Sequence, residues 1–294
     1  MKTVHILNPA AGQGGAMKYK NMENAHVTNG CGDARRFVRE MLENSLEDIN
    51  FAVYGGDGTV NEVVQGIVDS GSDRAYISLV PIGTGNDLIR TVAETGLDCI
   101  EADILTVNDA ISVNTVNTGF DLDVVMRAAR YKKKPFISGS MAYIFGVITT
   151  LLGGYGTHMR VDYVDAQGER GYFNGECLLA VAGNGCYYGG GFKASPAASM
   201  TDGLIDLMIV KKVSRLKFIS LVGKYKKGLH IDIENNRPLK KFEDIMLFKK
   251  CLSVTISGIN EICCDGEIYQ ASRADIGVLP RAVRILNGES CVRV

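Results

Sequence analysis

The chain is 294 residues long, 46% hydrophobic and 22% charged, with 32 Lys and Arg against 33 Asp and Glu. These proportions exclude a disordered, collagenous or low-complexity chain, and the length suffices for two globular domains. The formal net charge of -1 hides a split: residues 1–123 hold 8 basic and 18 acidic side chains, and residues 124–294 hold 24 and 15. The basic second half suits an anionic partner, a membrane surface or a nucleic acid.

In the first half, strand and helix signals alternate. Val4–Leu7 reads as a strand, followed by the loop Asn8-Pro9-Ala10-Ala11-Gly12. Asp33–Leu46 reads as a helix with Phe37, Val38, Met41 and Leu42 on one face. The strand Phe51–Tyr54 runs through Gly55-Gly56-Asp57-Gly58-Thr59 into a helix at Val60–Asp69. The strand Ile77–Val80 runs through Pro81–Asp87 into a helix at Leu88–Glu94. Strand, glycine loop and helix in repetition predict a parallel sheet covered by helices, with ligands at the carboxyl ends of its strands.

The second half changes character. Met141–Leu152 is strongly apolar within the uncharged stretch Pro135–Tyr155. It is too short to cross a bilayer and reads as a buried or interfacial helix. Ser214–Gly228 is a second helix. The rest reads as short strands, among them Met159–Val164, Glu176–Ala182, Leu204–Val210, Leu252–Ile256 and Glu261–Cys264. The expected organisation is an α/β nucleotide-binding domain over 1–115 with a largely parallel sheet. A predominantly β, sandwich-like domain with helical insertions follows over 116–294, its last residues packing back on the first. The eight cysteines form no CxxC pair and read as reduced core residues of a cytoplasmic protein.

Gly55–Thr59 is the most informative loop. Its glycines let backbone approach a ligand, and the N–H groups opening the next helix suit a phosphate. An aspartate among them makes sense if Asp57 holds magnesium or contacts the attacking hydroxyl; otherwise the loop is a tight Asp-Gly turn. Pro81–Asp87 repeats the design with Thr84 as hydroxyl and Asp87 as helix cap. Neither loop is a P-loop. Locally, Asp265-Gly266-Glu267 reads as a hairpin turn before it reads as an acid/base pair. Asp202, in Thr201-Asp202-Gly203, reads as an Asp-Gly turn before it reads as a ligand of a hard cation.

No histidine shows ligand or triad spacing. Basic residues cluster at Arg127, Arg130 and Lys132–Lys134, and again between Lys211 and Lys227. Each cluster adjoins an apolar helix and suits an anionic bilayer as well as it suits a solvated face.

Taken together, these residues resemble the diacylglycerol kinase catalytic-domain family, nearly end to end. The resemblance rests on N-P-x-x-G at Asn8–Gly12, Thr28 with Gly32-Asp33-Ala34, GGDGT-x-NE at Gly55–Glu62 and P-x-GTGND at Pro81–Asp87. It continues through Asn117-x-Gly119-Phe120-Asp121, Gly189–Gly191, Pro196-x-Ala198, Asp202-Gly203-Leu204-x-Asp206 and Asp265-Gly266-Glu267.

The resemblance implies a lipid kinase using ATP and Mg2+, most simply with diacylglycerol as acceptor. Asn8, Pro9, Ala10, Ala11, Gly12, Thr28, Gly56, Asp57, Gly58, Thr59, Val60, Asn61, Glu62 and Thr84 would line the nucleotide. Asp265 or Glu267 would be the base, with Asp57 near the transferring phosphate. The Ser199 and Leu204 carbonyls with Asp202 would hold a structural cation. The partners implied are a lipid at an anionic membrane surface, where the protein would associate peripherally, and no nucleic acid; a homodimer is left open. The alternatives are another lipid alcohol such as a long-chain base, an NAD-kinase-like enzyme and a catalytically silent regulator. Two departures bear on nucleotide contact: the stretch from Gly12 to Thr28 is short, and Gln13 stands where many relatives carry Lys.

Overall fold

A computed structural model describes residues 1–82, 86–132, 145–146, 149–150, 153 and 156–287. In the first domain, β1 (Lys2–Leu7), β2 (Ala25–Val27), β3 (Ile49–Gly55) and β4 (Ala75–Pro81) form a parallel sheet in the order β2-β1-β3-β4. Every residue of β3 is buried, as a central strand covered on both faces requires. Phe51 and Val53 point to one face, where α1 (Asp33–Glu43) and α2 (Asp57–Ser70) supply Val38, Leu42, Val63, Val64 and Ile67. Ala52 and Tyr54 point to the other, covered by a short 3-10 segment, Ala11–Tyr19, through Ala16 and Tyr19. That segment and the three-residue β2 fill the short stretch between Gly12 and Thr28. The helix α3 (Asp87–Thr95) follows β4.

The second domain is β-rich. β5 (Cys99–Val107) and β6 (Ala110–Ser112) lead into β7 (Thr115–Gly119) and the helix α4 (Phe120–Lys132). The strands β8 (Thr157–Asp165), β9 (Arg170–Gly183), β10 (Ile205–Lys211) and β13 (Met246–Ser257) form a closed circuit. β9 and β13 each pair with β10 along one half and with β8 along the other. Two layers result, with Met159, Val161, Ala180, Leu207, Val254 and Ile256 packed between them. The opposite face of β9 and β10 is covered by α4, by α5 (Arg215–Lys226) and by Phe242. A small ribbon, β11 (Ile231–Asp232) with β12 (Arg237–Pro238), sits aside. The expected α/β domain followed by a β-rich sandwich is what the chain forms.

Two long strands join the halves. β16 (Arg273–Leu286) starts antiparallel to β13 and ends parallel to β4, while β5 runs antiparallel along it. A register shift between Leu279 and Val283 accommodates Pro280 and Arg281. One continuous sheet therefore passes through both domains. A hairpin of β14 (Glu261–Cys264) and β15 (Glu267–Gln270) hangs from β7 and reaches toward α2. Among the described residues no helix is long and apolar enough to cross a membrane. Most of Met141–Leu152, together with Lys133, Lys134 and Thr84, lies outside the described residues.

Candidate active site

The loop after β3 is shaped by packing. A Cβ on Gly55 would lie 2.5 Å from Thr59, so only glycine lets the chain turn into α2 there. Gly56 then enters the helix in extended conformation, and no side chain caps it. The first amides of α2 are thus presented to a ligand. Asn8, at the end of β1, donates to Thr59 Oγ1 at 2.8 Å and accepts from the Ala10 amide at 2.9 Å. These contacts fold the Asn8–Ala11 loop over the α2 terminus.

Around this terminus lie two cavities. The larger, about 530 Å³, is lined by Asn8, Pro9, Ala10, Ala11, Thr28, Gly56, Gly58, Thr59, Glu62 and Glu267, with Gly30 and Cys31. Nine of the expected nucleotide residues therefore share one cleft. Gly12, in left-handed backbone at φ 57°, lies beyond the lining. Two of the expected residues turn their side chains away from the lining. Val60 is packed into the core beneath the sheet, and Asn61 is turned to the far side of α2. Both follow from the 100° step of the helix, which carries successive side chains away from the cleft. Glu62 reaches the cleft, but its carboxylate accepts from the Gly32 amide (2.9 Å) and the Ala34 amide (3.2 Å), so it also caps α1.

The smaller cavity, about 240 Å³, is lined by Asp57, Asp87, Asp121 and Asp265, with Asn114, Asn117, Leu122, Tyr188, Phe192 and Cys263 among its other walls. Burial, then the Asp87 and Asp265 carboxylates, push Asp57 up to about 6, against hydrogen bonds from the Leu88 and Asp87 amides. Asp121, half-buried in the cavity wall, is also pushed up to about 6 by desolvation, and the Tyr188 hydroxyl donates to it. Asp87 accepts from the Gly190 amide at 2.7 Å and from Arg90 at 2.9 Å. The Gly189–Gly191 run, all at positive φ, thereby joins the second domain to α3. Asp121 and Tyr188 carry no local signal of this pairing, since 67 positions separate them. Neither cavity is lined by a lysine or arginine among the described residues.

Asp265-Gly266-Glu267 is both a hairpin turn and part of the site. Asp265 and Gly266 take positive φ, 49° and 93°, as a two-residue loop of this kind demands. The Asp265 carboxylate accepts from Ser112 Oγ (2.7 Å), from the amides of Val113 (2.6 Å), Asn114 (3.0 Å) and Thr115 (2.9 Å), and from Asn61 Nδ2 (2.8 Å). Five donors use up its lone pairs, so of the two base candidates Asp265 is an anchor. Glu267 is exposed and lines the larger cleft, its Oε1 3.9 Å from where a Cβ on Gly58 would sit.

Around the expected cation set, Asp202 has partners within the protein. Asp202 accepts from the Leu204 amide at 3.1 Å on one oxygen and from Lys250 Nζ at 2.8 Å on the other. Ser199 Oγ lies 3.2 Å from Thr201 Oγ1. Asp202 is thus already matched by a charged amine. Among the described residues no group of three His, Cys, Asp or Glu has the arrangement of a metal site.

Comparison with known proteins agrees with this architecture. The profile described as diacylglycerol kinase catalytic domain matches residues 2–117, and that described as YegS C-terminal NAD kinase beta sandwich-like domain matches residues 114–287. A protein named "Probable lipid kinase YegS-like" from Alcanivorax borkumensis is 29% identical over 202 residues, covering 63% of this chain and 62% of that protein. A namesake from Klebsiella pneumoniae is 31% identical over 199 residues, covering 63% of each. The protein named diacylglycerol kinase from Bacillus subtilis is 28% identical over 219 residues, covering 71% of this chain and 70% of that protein. The chain thus spans a little under two thirds of the length of the two YegS-like relatives. In fold, a crystal structure titled as a diacylglycerol kinase from Bacillus anthracis superposes with a TM-score of 0.69 at 22% identity, over 99% of this chain and 98% of that one. An α/β half carrying the paired glycine loops, joined to a β-sandwich half, places the chain in the diacylglycerol kinase catalytic-domain family, with a YegS-type C-terminal domain.

Proposed function

We propose that this protein transfers the γ-phosphoryl group of ATP to the hydroxyl of a lipid alcohol, most simply diacylglycerol, giving phosphatidic acid. The observation that carries this reading is the pairing of a helix-terminus phosphate cradle with an adjoining cavity lined by four carboxylates and several apolar side chains. Such a cavity repels a phosphorylated acceptor, which disfavours a dinucleotide, and accepts an uncharged alcohol. A long-chain base, with its cationic amine, is the second reading that the same carboxylates favour.

The triphosphate lies at the α2 terminus, with Asn8, Thr28 and Thr59 around the nucleotide. Asp57 would hold a magnesium ion at this point, and the ion would supply charge neutralisation for the phosphates beside the cleft's own carboxylates. The acceptor oxygen attacks the γ-phosphorus, the bond to the β-phosphate oxygen breaks with its electrons leaving on ADP, and the hydroxyl proton passes to Glu267. The acceptor stays in the bilayer, so the protein works peripherally at an anionic surface. The test is radiolabelled ATP with a panel of diacylglycerol, long-chain base and NAD, with lipids in mixed micelles, followed by product separation. Label in phosphatidic acid supports the reading; label only in phosphorylated base or dinucleotide replaces it.

A further inference from the structure

We infer that the Lys250 ammonium is the resident cation of the Ser199–Asp206 turn, filling the role a divalent ion would otherwise take and leaving this domain independent of one. Lys250 lies on β13 directly opposite Asp206 on β10. Its Nζ sits 2.8 Å from Asp202, 3.1 Å from Asp206 and 3.0 Å from the Ala197 carbonyl. The surroundings are anionic and largely shut off from water: the Asp206 side chain is 2% exposed and that of Lys250 18%.

A hard cation needs several oxygens turned toward one point. Here both Asp202 oxygens already have donors and the Ala197 carbonyl is turned to the amine. The buried Asp206 carboxylate, with no hydrogen-bond partner among the described residues, faces that same amine at 3.1 Å. The turn itself is pinned from the other side by Asp103 of β5, which accepts from the Gly203 amide at 2.7 Å and the Arg281 amide at 2.8 Å. Burial lowers the Lys250 affinity for its proton, but Asp206 and Asp202 outweigh it and hold the ammonium above its ordinary value. Burial pushes Asp206 up to about 7, against the lysine's opposing pull. The amine is also covalently fixed, so its local concentration does not vary with medium.

This inference is independent of which acceptor is phosphorylated, and its test needs no turnover. The melting temperature of the nucleotide-free protein is measured in chelator and across a titration of Mg2+ and of Ca2+. The wild type is expected to show no saturable shift. Lys250→Met is expected to melt lower in chelator, with Mg2+ or Ca2+ recovering part of the loss, and adding Asp202→Asn should remove that recovery. The inference is overturned if Lys250→Met in chelator is as stable as wild type. It is equally overturned if the wild type gains stability saturably with either ion and Asp202→Asn abolishes the gain. Should Lys250→Met fail to fold, the wild-type and Asp202→Asn titrations decide alone.

Discussion

The Asn61 amide and the Asp265 carboxylate lie 204 positions apart in sequence and 2.8 Å apart in space. Asn61 belongs to the first helix turn after the phosphate cradle, and Asp265 to the tip of a hairpin from the second domain. Their contact, with the four further donors to Asp265, holds Glu267 over the cleft and divides two neighbouring acidic residues by task. Asp265→Asn replaces a saturated carboxylate with a group that turns its own N–H toward backbone donors. It should cost about 3 kcal/mol of stability, read by denaturant unfolding. Glu267→Gln should leave unfolding unchanged and lower kcat by about 10²-fold or more with little effect on ATP binding. Equal unfolding of both variants with wild type would return Asp265 to the list of proton acceptors.

Asp57→Asn should abolish phosphoryl transfer and stabilise the fold at once. Loss of the contact to magnesium should cost at least about 10²-fold in rate. The same residue is a buried carboxylate beside two others, so neutralising it should add about 2 kcal/mol at neutral pH. A variant that is inactive but less stable than wild type would contradict the burial argument.

The pH dependence follows from the same residue. The folded-state value of Asp57, about 6, lies above its ordinary one. Its unfolded form therefore ionises first as pH rises, and stability contributed by the protonated form fades through that window. Activity moves the opposite way, since the ionised form is needed: kcat/KM, which reports the free enzyme, should rise through about pH 6 and flatten above it. The stability gap between Asp57→Asn and wild type should be small near pH 4 and full near pH 8. Paired melts at these two values measure it.

With no basic residue lining either cavity among those described, nucleotide affinity should rest on magnesium. Removing it with chelator should weaken ATP binding by about 10²-fold, measured by calorimetry on the unreacted nucleotide complex.

For the proposed docking on a bilayer, α5 is the best-defined surface. Phe218, Leu221 and Val222 line an apolar pocket against the sheet, while Leu216 and Ile219 are 81% and 59% exposed beside Arg215, Lys217 and Lys224. Leu216→Glu with Lys217→Glu should weaken binding to anionic vesicles by about 10-fold or more, with the loss shrinking at high salt. Liposome sedimentation of this variant beside Lys132→Glu, Lys133→Glu, Lys134→Glu separates the two basic clusters. Equal sedimentation of wild type and both variants would leave them as solvated faces.

The first three βα units were legible because each signal is local: a short apolar run, a glycine loop, a 3.6-residue period. β16 was not, although it is among the longest strands. Pro280 and Arg281 interrupt its pattern, and only the register shift against β5 shows how they fit. α4 was missed because its sequence mixes acids and bases on all sides, and its partners, Leu178 and Phe218, come from later in the chain. In the site, Asp57 announced itself by being an acid among glycines. The role of Asp265 was hidden, since its donors come from residues 61 and 112–115, and the Asp121–Tyr188 pair was hidden for the same reason.

β16 lies between β4 and β5, and this placement governs how the molecule can be cut. The two family profiles meet at residues 114–117, a position that invites expression of each half alone. A fragment ending there would keep β4 with a raw edge and β5 with only β6 to pair with, while the remaining fragment would carry the far end of β16 with nothing beside it. Neither piece closes its own hydrogen bonding. The two halves should be recoverable only together, by co-expression or by mixing denatured fragments, and a nick between them should leave the pair associated rather than release two modules.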